Sequence, residues 1–157
     1  MSHTSGPASQ PDADNPGWFV WNLRDPTRFN GVVFGKLATR RDDDGRGRLR
    51  MFPERRNTNL NDNLHGGVLM ALADVALVAI AYHQGTAKGG GAVTLDLAMQ
   101  FLAPGKPGIP CDAVGEVLKE TGRLVFVRGL IEQDGERIAA FNGTLRKLSR
   151  PSPRGGD

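Results

Sequence analysis

The chain has few cysteines, which could stabilise a small protein covalently, and few aromatic residues, which could stack on nucleic-acid bases. It contains 157 residues, with one cysteine, three histidines and 6% aromatic residues. The single cysteine, Cys111, excludes an internal disulfide. The single cysteine and the absence of an apolar leader at the start together predict a reducing, cytoplasmic location. A chain of this length can build one domain with a substantial core without a metal or a disulfide.

The positive charge of the chain is not gathered into one basic segment. There are 20 Lys and Arg residues against 17 Asp and Glu residues, a formal net charge of +3. The densest basic segment, residues 40–50, is interrupted by three aspartates at positions 42–44. Nucleic-acid-binding proteins instead show a basic stripe or aromatic residues among basic ones. We therefore expect no nucleic-acid partner, and the small positive surplus suits an anionic small ligand.

One long apolar segment, residues 66–82, has a single ionisable side chain in its interior, Asp74. The segment is at the short limit for a membrane span, and a central aspartate would cost about 2.5–3.5 kcal/mol to insert. We therefore predict a buried helix and no membrane partner. A buried charge must be paired, protonated or placed at a cleft. Asp74 is thus either a structural carboxylate, tied to an arginine or lying at an exposed seam, or a general base or nucleophile.

The segments around this helix predict strands. A short helix over Asp25–Phe29 and two strands, about 32–40 and 46–53, come before it. After it, alternating residues over 93–101 predict a strand whose odd-numbered side chains, from Val93 to Phe101, face the core. Three more strands follow, with reversals at Gly122 and at Asp134-Gly135; they cover about 111–120, 124–132 and 137–148.

One long central helix wrapped by a curved antiparallel sheet satisfies this order of elements, which is an α+β fold. The edges of such a sheet predict contacts between copies of the chain. The polar segments 1–17 and 149–157 predict a flexible N-terminal tail and a disordered C-terminal tail around one domain, residues 18–148. Trp18 and Trp21 are expected to pack the N-terminal segment onto this domain.

The helix begins with an unusual sequence, His65-Gly66-Gly67. Two glycines weaken a helix by roughly 1 kcal/mol each relative to alanine, and neither has a capping side chain. They form either a tight loop-to-helix junction or an oxyanion hole, in which a substrate carbonyl approaches free backbone N–H groups at the positive helix end. His65 is a general acid, a polar support or a junction histidine, of which the last is the best single explanation.

The segment NLNDNLHGGVLMALAD resembles the signature of the hotdog-fold thioesterases of the PaaI (phenylacetyl-CoA thioesterase) type. That signature has an asparagine six positions before a histidine, HGG at the helix start, and an acidic residue nine positions after the histidine. Asn59, His65, Gly66, Gly67 and Asp74 occupy those positions. The similarity continues through AVTLDLAMQFLAPGKPG and GEVLKETGRLVFVRGLIEQDGERIAAFNGTLRKL, so that it covers about residues 23–148.

The resemblance implies a hotdog fold and hydrolysis of acyl-CoA to a free acid and coenzyme A at a site shared by two subunits. The Gly66 backbone N–H would polarise the thioester carbonyl, and Asp74 of the facing subunit would activate water or attack the carbonyl. Asn59 would hold the carbonyl or the water, Thr94 would orient the water, and His65 would support the loop.

The resemblance also implies how the substrate is bound. Gly67 would leave room for the substrate, and the turn at Gly122 and Arg123 would lie near the nucleotide part of coenzyme A, where Arg123 would pair with a phosphate. Coenzyme A would be part of the substrate, with no metal or other cofactor. A homodimer would be the minimum unit, and a homotetramer is common in the family.

Two other functions stay open. One is a different hotdog reaction, such as that of a hydratase or dehydratase, although the proline-bearing HFPG-type motif of those relatives is absent from the sequence. The other is a non-catalytic acyl-CoA binding or regulatory module, which would not require Asn59, Asp74 and Thr94 together. Cys111 has no histidine near it in sequence and is expected to be structural, as is His83.

Overall fold

A computed structural model of the chain describes residues 8–21, 23–86 and 91–148. The helices are α1 (Phe29–Phe34) and α2 (Gly66–His83), and a 3-10 turn spans Arg55–Asn57. The strands are β1 (Ala8–Pro11), β2 (Phe19–Trp21), β3 (Leu37–Arg41), β4 (Gly47–Met51), β5 (Ala92–Phe101), β6 (Cys111–Glu120), β7 (Leu124–Gln133) and β8 (Glu136–Lys147). They form one antiparallel sheet in the order β1-β2-β3-β4-β6-β7-β8-β5. The predicted α+β architecture of one long helix on one antiparallel sheet is confirmed.

Helix α2 is the centre of the core and packs across β4 to β8. Two glycines let it come close to the sheet. A Cβ at Gly47 would lie 2.6 Å from Ile80 Cα, and one at Gly143 would lie 2.6 Å from Leu77 Cδ1. By length and composition α2 would also suffice to cross a membrane, but half of it is buried inside the protein. It is therefore built as the core helix of the domain, as the sequence predicts.

The N-terminal third differs from the sequence prediction. The helix predicted over Asp25–Phe29 is wrong, because the Asp25 carboxylate accepts hydrogen bonds from the Thr27 N–H and hydroxyl at 2.9 and 2.6 Å and holds a turn. The helix, α1, begins at Phe29. The following strand consequently starts at Leu37 rather than near residue 32, and β4 ends at Met51.

The predicted flexible tail over residues 1–17 is too long. Residues 8–11 form β1, which pairs with β2, and β2 in turn pairs with β3. The Asp12 side chain is buried and accepts a hydrogen bond from Lys36 Nζ at 2.8 Å. This N-terminal hairpin gives the edge of β3 hydrogen-bonding partners, which a natural sheet edge needs. Residues 1–7 and the predicted C-terminal tail at 149–157 lie outside the described residues.

The two tryptophans pack as predicted. Trp18 and Trp21 are both buried. The guanidinium groups of Arg40 and Arg50 lie over the Trp18 ring, with their Cζ atoms 4.6 and 4.2 Å from its centroid. The Trp21 ring meets the ring of Tyr82 edge to face, with centroids 6.2 Å apart. The N-terminal segment is thereby fixed both to the outside of the sheet and to the end of α2.

The arginines of the basic segment are neutralised by carboxylates. Arg50 makes two hydrogen bonds to Asp112, at 2.7 and 2.8 Å, and Arg48 reaches the same carboxylate at 3.1 Å. Asp42 accepts from both Arg40 and Arg48 at 2.8 Å. These paired arginines form an ion-pair network on the sheet rather than a free basic surface.

Strand β5 corrects the predicted alternation. A β-bulge lies between Thr94 and Asp96, so the side chains change faces there. Before the bulge Thr94 faces α2, and after it Leu97 and Met99 do so, while Val93 and Leu95 are exposed. The prediction that Val93 and Leu95 belong to the core is therefore wrong. β5 is also the last strand in the sheet order, so one of its edges has no partner strand among the described residues.

Candidate functional site

Asp74 and Thr94 meet where α2 crosses the start of β5. The Thr94 hydroxyl donates a hydrogen bond to Asp74 Oδ1 at 2.7 Å. Asp74 lies on the exposed side of α2 and forms no ion pair with any described residue. The pairing with an arginine that the sequence allowed is therefore absent among the described residues, whereas the exposed position that it also allowed is the one observed. Asp74 is an exposed carboxylate held in place through one oxygen, and its Oδ2 has no partner within the described chain.

The first turn of α2 exposes a backbone donor. His65 is the N-cap, and its Nδ1 accepts a hydrogen bond from the Gly67 N–H at 2.9 Å. An accepting Nδ1 carries no proton, so His65 caps the helix, in agreement with the junction role preferred from the sequence. The Gly66 N–H has no acceptor in the part of the chain that the structure describes. It lies at the positive end of an 18-residue helix and is therefore available to a ligand oxygen.

Asn59 closes the loop that leads into this helix. Its Oδ1 accepts the N–H groups of Asn61 at 2.9 Å and Asn63 at 3.3 Å, which fixes a tight turn. The loop is tied to the helix start by the bond from the His65 N–H to Asn57 O at 2.9 Å. The carboxamide oxygen of Asn59 is thus used by the loop itself. Its NH₂ group donates no hydrogen bond to a described residue.

Gly66 and Asp74 are too far apart on one chain to act on the same thioester. They are separated by eight residues of one helix, which is about 12 Å along the axis. The attacking atom must approach the thioester carbon to about 3–3.5 Å. The oxyanion donor must at the same time be hydrogen-bonded to the oxygen on that carbon. One chain therefore places Asp74 with Thr94, but it does not bring the Gly66 N–H to that pair.

The turn at Gly122 and Arg123 lies at the same end of the sheet as Thr94. Thr121 Oγ1 accepts the Leu124 N–H at 2.9 Å, and the Arg123 carbonyl accepts the Lys147 N–H at 2.8 Å. In the sheet, β8 lies between this turn and the start of β5. The Arg123 side chain is exposed and has no charged partner among the described residues.

Sequence reasoning missed Phe101 as a site residue. It was assigned to the core, yet its side chain is 55% exposed. Its ring reaches the start of α2, where a Cβ at Gly66 would meet Phe101 Cζ at 3.2 Å and Cε1 at 3.3 Å. No local pattern predicts this contact, because it joins the end of β5 to the beginning of α2.

The comparisons with known proteins identify the family of the chain. The family model described as Thioesterase superfamily matches residues 61–140, which include Gly66, Asp74 and Thr94. The acyl-coenzyme A thioesterase PaaI of Escherichia coli is 30% identical over 109 residues, or 68% of this chain and 74% of that protein. The chain belongs to the thioesterase superfamily.

Solved structures show that this thioesterase has the hotdog fold of the PaaI type. The TT0310 protein from Thermus thermophilus is 26% identical, with a TM-score of 0.65 over 80% of this chain and 100% of that one. The E. coli PaaI structure is 22% identical, with a TM-score of 0.66 over 78% and 86% of the two chains. A hypothetical thioesterase protein from Streptococcus pneumoniae, solved with coenzyme A, is 20% identical, with a TM-score of 0.66 over 77% and 92%. The structures from E. coli and S. pneumoniae, with identities of 22% and 20%, establish the fold alone.

Cys111, the cysteine of this thioesterase, is unsuited to act as a nucleophile. Cys111 is buried, and burial raises the pKa of its thiol to about 12. The thiolate needed for nucleophilic attack is therefore not formed at neutral pH. His83 Nε2 lies 2.7 Å from Thr39 Oγ1, and burial lowers its pKa. In the described ranges no cluster of three or more His, Cys, Asp or Glu residues is placed to hold a metal ion.

Proposed function

We propose that this thioesterase hydrolyses acyl-CoA to a free acid and coenzyme A at sites formed between two copies of the chain. One observation carries the proposal: α2 exposes both the carboxylate of Asp74, which Thr94 holds, and the N–H of Gly66, which has no acceptor among the described residues. We take the first as a general base and the second as an oxyanion donor. These are the two groups that hydrolysis of a thioester needs.

In the proposed reaction Asp74 takes a proton from a water molecule as that water attacks the thioester carbon. The Gly66 N–H donates to the carbonyl oxygen as it becomes an oxyanion, and the Asn59 NH₂ group donates to the same oxygen or to the water. The tetrahedral intermediate then expels the coenzyme A thiolate, which receives the proton from Asp74. Direct attack by Asp74, which would form an acyl-enzyme anhydride, is the alternative chemistry for the same carboxylate.

The geometry of α2 and β5 supports a two-fold dimer. If Gly66 of one copy faces Asp74 of the other, the two-fold axis passes the midpoint of these residues, Met70, which is exposed on the same face of α2. On β5, Phe101 lies beside Gly66 and Thr94 lies beside Asp74. The midpoint of that pair falls between residues 97 and 98, at the middle of the unpaired edge. One axis therefore satisfies both elements, and the β5 edges would pair antiparallel.

A mixing experiment tests the shared site. Gly66→Pro removes the donor N–H, and Asp74→Ala removes the base, so each variant alone would lack one group in every site. In a refolded equal mixture, about a quarter of the sites would combine an intact Gly66 with an intact Asp74. We expect thiol release near that fraction of the wild-type rate. Activity no higher than the two variants give separately would rule out a site shared in this way.

The outer face of the sheet supports a homotetramer. Opposite α2, a groove of about 810 Å³ runs over β5 to β8. Val114, Phe126 and Leu130 line it, although the outward face of an antiparallel sheet is usually polar. Between these apolar residues lies one ion pair, Arg128 with Glu116 at 2.7 Å. Such a neutral, apolar face suits the same face of a second dimer. Light scattering of the purified chain should give the mass of a tetramer, and a dimer mass at all concentrations would contradict this.

Binding of coenzyme A is proposed for the turn at Arg123. Its exposed guanidinium is at the Thr94 end of the sheet, and a guanidinium pairs well with a phosphate. Gly67 leaves the first turn of α2 open to the substrate. Coenzyme A enters as part of the substrate, and the reaction as proposed uses no metal or other cofactor. A cytoplasmic location stays a prediction.

Thiol release from a panel of short, medium, long and aromatic acyl-CoAs tests the proposed function. We expect turnover of at least one class by the wild-type chain, and its loss in Asp74→Ala. A folded, oligomeric protein that binds acyl-CoA without turnover would instead be the non-catalytic module. Addition of water to an enoyl-CoA without thiol release would indicate a hydratase.

A further inference from the structure

We propose that Phe101 determines substrate specificity by excluding branched acyl groups at the carbon next to the thioester carbonyl. The inference rests on the proposed function, because it takes the Gly66 N–H as the point where the carbonyl oxygen binds. It concerns a residue outside the sequence signature and assigns its ring a place in the acyl site.

The Phe101 ring lies within reach of the proposed oxyanion donor. The three atoms nearest to a Cβ at Gly66 are all from this ring: Cζ at 3.2 Å, Cε1 at 3.3 Å and Cε2 at 3.9 Å. The far end of the ring therefore points at Gly66. A Cβ is about 2.5 Å from its own amide nitrogen, so Cζ is no more than about 6 Å from the Gly66 nitrogen. A carbonyl oxygen bonded to that nitrogen lies about 2.9 Å away, which puts the acyl carbons next to it within reach of the ring.

The backbone on each side of the Phe101 ring is fixed. The Phe101 backbone is paired with Ala139 of β8, and the next residue donates its N–H to Ile138 O at 2.9 Å. On the other side the ring tip meets the backbone of Gly66 in the first turn of α2. In the proposed site an added methyl group on the acyl α-carbon would meet the ring. A straight chain would pass without doing so.

The exposure of Phe101 also fits a wall of the site rather than a core position. The side chain lies on the same face of β5 as Leu97 and Met99, which are partly buried against α2, yet it is 55% exposed because it projects past the helix start. A large apolar side chain left open beside a free backbone donor is suited to contact the apolar part of a ligand whose carbonyl binds that donor.

Phe101→Ala tests the inference, with Leu102→Ala as the matched control. Leu102 is the next residue and is 54% exposed, but none of its atoms is among those nearest to Gly66. The substrates are isomeric pairs that differ only in branching, such as 3-phenylpropanoyl-CoA and 2-phenylpropanoyl-CoA, or hexanoyl-CoA and 2-methylpentanoyl-CoA. The readout is the ratio of kcat/KM for the straight isomer to kcat/KM for the branched isomer.

We expect the wild-type chain and Leu102→Ala to share a high ratio, and Phe101→Ala to lower it by about tenfold, the usual effect of one methyl group in a tight pocket. An unchanged ratio in Phe101→Ala, or an equal loss for both isomers, would overturn the inference. Phe101→Leu, which keeps an apolar side chain on the strand, gives an intermediate ratio if Phe101→Ala is poorly folded. Absence of turnover by the wild-type chain is the separate result that would contradict the proposed function itself.

Discussion

Asp74→Ala is expected to lower kcat by about 100-fold or more, the usual contribution of a general base, while the protein stays folded. Asp74 lies on the exposed side of α2, and its described contact is the hydrogen bond from Thr94 at 2.7 Å. Removing it therefore leaves no buried group without a partner. Alanine also favours the helix. The measurement is thiol release at saturating acyl-CoA, together with thermal unfolding of both proteins.

Asp74→Asn is the matched control for shape. The amide can still accept the Thr94 hydrogen bond but cannot take a proton from water, so we expect a loss of activity close to that of Asp74→Ala with unchanged binding of acyl-CoA. If both variants keep wild-type turnover, Asp74 is not the base. If Asp74→Ala unfolds, whereas Asp74→Asn is stable and active, the carboxylate has a structural role.

Gly66→Pro is expected to lower kcat by about 100- to 1000-fold, the cost of losing one oxyanion donor. Gly66 is the first residue of α2, where proline is well tolerated because its missing N–H has no helical acceptor. His65 before it has φ −66° and ψ 133°, an extended conformation that suits a residue preceding proline. The substitution therefore removes the proposed donor with little cost to the helix.

Gly66→Ala separates the donor from the space around it. It places the same Cβ against the Phe101 ring, at 3.2 Å, but keeps the N–H. We expect Gly66→Ala to retain much more activity than Gly66→Pro when kcat is compared on the preferred substrate. Equal losses in the two variants would mean that the glycine is needed for space alone and that its N–H does not stabilise the oxyanion.

The order of elements and the long helix could be predicted because they depend on local patterns. The apolar run over α2, broken only by Asp74, and the turn sequences between the later strands are each contained in neighbouring residues. The motif of Asn59, His65, Gly66, Gly67 and Asp74 lies within sixteen consecutive positions, and the family model that includes most of it confirms the family. For the strands that follow α2, the predicted ends agree with the observed ends to within a few residues.

The N-terminal third was predicted less well because its structure depends on distant partners. The sequence predicts a tail over residues 8–11, yet these residues form β1. They do so by pairing with β2, which itself pairs with the edge of the sheet at β3. Asp12 is buried only because Lys36, which follows α1, reaches it at 2.8 Å. The sequence predicts Asp25 as the N-cap of a helix, but its carboxylate accepts a hydrogen bond from the Thr27 hydroxyl in a turn.

The sequence by itself determined the fold class, the family and the residues of the motif, since spacing along one helix and one loop places those residues without knowledge of the rest. The tertiary structure decided how they are used. The bulge in β5 depends on pairing with β8, and it turns Thr94 toward Asp74. Phe101 reaches Gly66 through the same pairing. Both contacts join residues that are distant in sequence, so they are properties of the folded chain.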